Sequence, residues 1–278
     1  MLFSFSILLG FVLNLLFVKF HSIRSLQQLL SAKRCPDQMQ CFLLCILLPS
    51  VLFCVLTWAY VQSKLIWFLV RILLSALVFH TGASLAAASQ IAGMFLSSPA
   101  DALSMLNRIK NDSAGSPETD VIRGTIEFLC MDFVVASALP VLSMLIAGPA
   151  FGLLCAAVCA LDGKQPAGKL SRLIRFWPAR LGAFFMTVAC GLLRYDFNNG
   201  RRIYQRDRKH HPDAGTGQVL SVCAGSLHIR FTGTNGQPIG NVDRPVVRTD
   251  ILRMRDLFLF SSWLMLLTGC FIRILFFS

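Results

Sequence analysis

Glu127 and Asp132 stand at the start of an apolar run, residues 126–147. A carboxylate at membrane depth costs roughly 3 kcal/mol, so its first reading is functional. The bland alternative is that Glu127 lies at the interface and pairs with Arg123, four residues earlier. Asp162 closes the apolar run 151–161 and precedes Gly163. It is either a Mg²⁺ ligand or a helix-end residue. Arg180 lies within the apolar run 177–193. It either snorkels to lipid headgroups or binds an anion, because its planar fork suits a phosphate.

Two further stretches could hold anions. Arg201, Arg202, Arg206, Arg208, Lys209, His210 and His211 form a basic run. It can hold an anionic substrate, touch acidic lipid, or act only as a topology signal. Nucleic acid is not expected, because Tyr204 is the run's only aromatic residue. Asp213-Ala214-Gly215-Thr216-Gly217-Gln218 is a glycine-containing loop able to open a helix, where backbone amides bind anions. It fits neither a P-loop nor a dinucleotide motif. The chain has no Ser/His/Asp signature and no metal-type His/Cys spacing. Its 10 cysteines lie mostly in apolar runs and read as small hydrophobes.

The elements that position these residues are membrane helices. Of 278 residues, 55% are hydrophobic and 14% charged, too little charge for a solvated surface. Residues 1–18, 41–61, 65–79 and 257–277 read as spans, with 126–147 a fifth. The first is expected to be a retained helix, since it lacks a positive n-region and a cleavage site. Runs 151–161 and 177–193 are short or polar. Between the spans, 83–96 is rich in small residues suited to close helix packing. A helix at 100–110 is expected to put Leu103, Leu106 and Ile109 on one face. Thr119-Asp120 and Thr249-Asp250 are expected to cap the helices that follow. Residues 218–231 are expected to form a helix and a short strand.

The formal net charge of +12 falls largely in three loops: 19–40, 162–176 and 194–256. The last carries eleven Lys and Arg against six Asp. Basic loops stay cytoplasmic, so all three belong on one side. Strict alternation of seven spans forbids that. Either 151–161 or 177–193 must therefore be re-entrant or interfacial, leaving about five crossings. Trp177-Pro178 suits an interface, with Pro178 in the first turn of its helix. The expected fold is an all-α integral membrane protein with re-entrant or interfacial helices and a small basic soluble segment. It is one domain, 1–278: N-terminal membrane helices (1–80), a polar helical hairpin (81–125), central helices (126–193), the basic segment (194–256) and a final span (257–277).

Several motifs then fall into a familiar order. Val121-Ile122-Arg123-Gly124-Thr125-Ile126-Glu127 is similar to "IIRATIE", with Pro140 at a downstream proline. Ala160-Leu161-Asp162 is similar to "TLD", and Pro178-Ala179-Arg180-Leu181 is identical to "PARL". Pro212-Asp213-Ala214-Gly215 stands where "PNAG" is found, and Ala224-Gly225 and Arg230 follow. In this order they resemble the CobD/CbiB family of cobalamin biosynthesis, best over residues 116–255. The departures concern acids. "AENTSDG" becomes Cys130–Ala136, with Met131 and Val135 at acidic positions. Ser171-Arg172 replace paired acids, Gln218 replaces another, and Val18-Lys19-Phe20 replace a "GDP" turn.

The resemblance implies an inner-membrane, multi-pass enzyme with cytoplasmic basic loops. The reaction joins adenosylcobyric acid to aminopropanol or its phosphate, using ATP and Mg²⁺. It implies Glu127 and Asp162 as catalytic residues and Mg²⁺ ligands. Arg180 and Arg230 would hold phosphates, while Asp213, Gly215 and Gln218 shape the pocket. Membrane lipid and a corrinoid are the implied partners. A protein partner or a second copy could supply missing ligands. The loss of acids also allows a non-catalytic reading. The resemblance extends to AmpE-like inner-membrane proteins, which keep the scaffold in a regulatory or scaffolding role.

Overall fold

The computed structural model describes residues 2–17, 64–79, 81–110, 118–160, 167–211, 213–232, 237–241 and 244–277, with short stretches at 51 and 54–55. The expected span 41–61 and Asp162 therefore lie almost wholly or wholly outside the described residues. The described residues are mostly helix, with one two-residue-per-strand ribbon. Four helical stretches are long and apolar enough to cross a bilayer: Lys64–Ser97, Val121–Ala147, Leu170–Leu192 and Arg248–Phe276. The chain is an all-α membrane protein. It divides into two compact units, Met1–Ala83 with Val135–Pro178 and Met265–Ser278, and Ser84–Val134 with Ala179–Leu264.

In the first unit, α1 (Leu2–Phe17) packs against α2 (Lys64–Val78). They approach so closely at Gly10 that a Cβ there would stand 2.5 Å from that of Ser75. Phe11 meets Phe79 edge to face at 4.9 Å. Asn14 closes the break after α2. Its amide donates to the carbonyls of Ala76 (3.1 Å) and Phe79 (2.6 Å), and its oxygen accepts from Gly82 N–H at 3.1 Å. Those carbonyls would otherwise be orphaned at a helix end with no water to satisfy them.

α3 (Thr81–Ser97) and α4 (Pro99–Lys110) follow, then α5 (Glu118–Phe133). The helix of α5 continues through a π-helical turn, Val134–Ala138, into α6 (Leu139–Ala147). Pro140 explains the turn. It has no N–H to give to the carbonyl of Ala136, four residues earlier. Thr81 Oγ1 donates to that carbonyl instead, at 3.1 Å. α7 (Pro149–Ala160) has 12 described residues, roughly 18 Å.

α8 (Ala167–Leu192) corrects one expectation. It starts ten residues before Trp177, so Pro178 lies inside the helix rather than in its first turn. The apolar pattern on both sides of Pro178 carries the helix through the one backbone hydrogen bond that proline forfeits.

In the second unit, Ile91, Ala102, Leu106 and Val121 form a cluster joining α3, α4 and α5, with Leu103 against it. α9 (Phe197–Asp207) and α10 (Ala214–Ser226) form a tight antiparallel-type pair, closest at Gly225, where a Cβ would stand 2.7 Å from the Asn199 carbonyl oxygen. α8 and α10 end in the same way. Arg194 (φ 61) and His228 (φ 53) each take the left-handed conformation. Tyr195 N–H then reaches Cys190 O (2.8 Å), and Ile229 N–H reaches Ala224 O (2.9 Å). This is the Schellman closure with a side chain where glycine is usual. After it, β1 (Phe231–Thr232) pairs antiparallel with β2 (Pro238–Ile239). α11 (Arg248–Phe277) begins with Asp250 in its first turn, accepting from Val247 N–H at 3.0 Å. The expected cap at Thr249-Asp250 therefore acts from inside the helix, reaching back to its first donor.

Candidate functional site

The loop Asp213–Gln218 does open a helix. Asp213 is the N-cap of α10, its Oδ2 accepting from Thr216 N–H (3.1 Å) and the Thr216 hydroxyl (2.6 Å). α10 is buried from Gly215 to Ser226, with Val219, Leu220, Val222 and Cys223 fully enclosed. Gly217 lets it sit there: a Cβ would stand 2.8 Å from that of His211 and 2.9 Å from the Arg208 carbonyl oxygen. Gly215 is less constrained. A Cβ there would meet Ala179 at an ordinary 3.6 Å.

His211 turns its Nε2 to Glu127 Oε1 at 3.4 Å. Its Nδ1 lies 3.1 Å from Asp213 N and 3.0 Å from Asp213 O. Neutral, Nδ1 accepts from that N–H; protonated, it donates to that carbonyl. Nε2–H donates to Glu127 in both states, so the imidazole can change charge without moving. Burial pushes its pKa down, but Glu127 and the Asp213 carbonyl outweigh burial and hold it above the usual histidine value. Glu127 is thus paired with His211. Asp132 accepts from the Ser84 hydroxyl. His211 was legible only as part of the basic run, since its partner lies 84 residues away.

Gln218 is buried and accepts from the Tyr204 hydroxyl at 3.4 Å. Tyr204 in turn lines a cavity of about 420 Å³ shared with Arg180 on α8 and Arg201 on α9, with Phe184, Val188 and Phe197 as its apolar wall. Arg230 lines a different cavity, also about 420 Å³, with His210, Gln237 and Asn241. The two arginines therefore line separate cavities.

The floor of the Arg230 cavity is Asp207, which is fully buried. Arg206 grips it with two bonds of 2.5 and 2.8 Å, and Gly240 N–H adds a third at 2.8 Å. Burial raises its pKa, but Arg206, Gly240 and His210 outweigh that and hold it below the usual range. Gly240 needs its glycine: at φ 92, a Cβ would stand 2.2 Å from the Ile229 oxygen.

Two of the acid-replaced positions meet in the first unit. Val135 packs on the buried cluster Leu139, Cys155 and Cys159. Ser171 is buried, with its hydroxyl 3.8 Å from Cys159 Sγ. Met131 and Arg172 are exposed. Among the described residues no three His, Cys, Asp or Glu side chains gather for a metal. Mg²⁺ takes near-octahedral oxygen ligands. Glu127, already holding His211, does not make that site with the described residues.

Comparison with known proteins gives a consistent answer. The family model described as "CobD/Cbib protein" matches residues 16–257. Three curated relatives are each named "Cobalamin biosynthesis protein CobD". That of Leptospira interrogans (strain Fiocruz L1-130) is 27% identical over 140 residues, 46% of this chain and 44% of its own. That of Listeria monocytogenes serovar 1/2a is 28% identical over 163 residues, 51% and 52%. That of Pelobacter propionicus is 25% identical over 189 residues, 59% and 58%. The matches span about half the length of these curated relatives. No solved structure matches the chain. With the family model running from residue 16 to residue 257 of 278, this chain belongs to the CobD/CbiB family.

Proposed function

We propose that this membrane protein acts in cobalamin biosynthesis, joining adenosylcobyric acid to aminopropanol or its phosphate at the cytoplasmic face of the inner membrane. The observation that supports this most is the convergence of Glu127, His211 and Asp213, on motifs matched by the family model, at one helix start. Forming an amide from an acid requires an activated acyl group, here an acyl phosphate formed with ATP. The amine nitrogen then attacks the acyl carbon, the C–O bond to phosphate breaks, and one amine proton must leave. Glu127 is the acceptor for that proton. His211 is a positioning residue: its Nε2–H orients the carboxylate. Arg230, in a polar cavity open to water-soluble groups, is suited to a substrate phosphate. Mg²⁺, with Asp162 as a ligand, belongs to the same proposal.

One observation favours a second reading, a non-catalytic, AmpE-like regulatory or scaffolding protein. The positions of Val135 and Ser171 have become part of an apolar and thiol-lined cluster. Complementation separates the two. The chain is expressed in a bacterium lacking its own synthase, with cobyric acid as the only corrinoid and membrane insertion checked by blot. Growth that is lost in Glu127→Gln supports the enzyme. No growth, with rescue by cobinamide, supports the second reading.

A further inference from the structure

The two cavities of the second unit differ in chemistry. The Arg230 cavity is lined mainly by charged and amide side chains: Arg206, Asp207, His210, Gln237 and Asn241. The groove between α8 and α9 has an apolar wall, Phe184, Val188 and Phe197, beneath two cations, Arg180 and Arg201. Among the described residues Arg201 has no ion-pair or hydrogen-bond partner. A soluble phosphate would leave that wall in water. An apolar chain alone would leave Arg201 unmatched. An amphiphile with a phosphate head satisfies both.

We propose that this groove is a binding site for an anionic phospholipid, with the headgroup phosphate between Arg180 and Arg201 and an acyl chain along Phe184. The surroundings fit the same occupant. The apolar wall continues on the outside of α8, where Leu181, Phe184 and Leu192 are exposed. On α9, Arg201, Arg202 and Arg206 are exposed. Such charges are expelled from hydrocarbon but are attracted to an acidic headgroup layer. This stretch of α8 therefore lies at headgroup depth beside α9, although its length and composition would allow a crossing. The lipid would seat α8 and α9 on the membrane surface. Lipid binding in this groove is independent of the proposed reaction, and failed corrinoid complementation leaves it untouched.

The test uses the full chain, purified and stripped of lipid in detergent, with thermal midpoint as the readout. Phosphatidylglycerol, phosphate-free dioleoylglycerol and inorganic phosphate are titrated separately. Phosphatidylglycerol alone is expected to raise the midpoint. Arg201→Gln, an exposed position where folding is not at stake, is expected to raise the half-saturating concentration at least ten-fold. Arg202→Gln, one residue on and outside the groove, is expected to leave it within two-fold. Phe184→Ala is expected to weaken the lipid response as well. Equal losses in R201Q and R202Q would mean a diffuse surface charge and overturn the site. So would a full response to inorganic phosphate, no response to phosphatidylglycerol, or an unchanged response in F184A.

Discussion

Glu127 Oε1 and His211 Nε2 lie 3.4 Å apart, joining the helix of one motif to the turn of another. The pair is half-buried, with His211 the more enclosed partner. Its consequence is measurable in the imidazole. Because the folded pKa of His211 is raised, the protonated pair contributes fully below the ordinary histidine value near 6.5. That contribution is lost as pH rises through the raised value. In Glu127→Gln the histidine pKa should fall, read by NMR of labelled imidazole in detergent. An unchanged titration would mean that Glu127 does not set it.

Asp207 has the opposite sign. Its folded pKa is depressed, so its contribution is complete above the ordinary aspartate value near 4 and fades as pH falls through the depressed one. Asp207→Asn keeps the shape but leaves Arg206 and Gly240 N–H poorly matched. It should cost about 2–3 kcal/mol in denaturant unfolding and flatten the acid limb of the stability profile. A profile identical to that of the parent would count against it.

Asp213→Ala removes the N-cap acceptor from Thr216 and should cost about 1 kcal/mol. Asp213→Ser keeps an acceptor and should recover most of that loss. Equal destabilisation by the two would show that the carboxylate does more than cap.

Gly225→Ala places a methyl group 2.7 Å from the Asn199 oxygen and 2.8 Å from Gly200 Cα. Both neighbours are backbone, so the α9–α10 pair must spread. A loss of about 1–3 kcal/mol is expected in the same unfolding assay. Gly93→Ala, which meets nothing within 4 Å, is the matched control and should be neutral or slightly stabilising.

What the sequence made legible was local. The helix start at Asp213 could be read because an acid before Ala-Gly-Thr-Gly is turn chemistry, complete within four residues. The α4 face of Leu103 and Leu106 could be read from period. The pairing of Glu127 with His211 could not, since nothing within either motif points across 84 residues. Asp207 was hidden differently. It sits in a run dominated by arginine, and a summed charge conceals one buried carboxylate that organises its neighbours. At Pro178 a sound local preference lost to the apolar pattern on both sides.

The hydrogen bond from Thr81 to Ala136 changes what a proline does in this protein. A proline in a membrane helix frees a carbonyl with no water to receive it, and such a break commonly serves as a hinge. Here the freed oxygen is taken by the first residue of another helix. The defect in one element becomes a stitch between two, and bending at Pro140 would require a second helix to let go. Rigidity at this depth thus comes from a missing hydrogen bond, relocated.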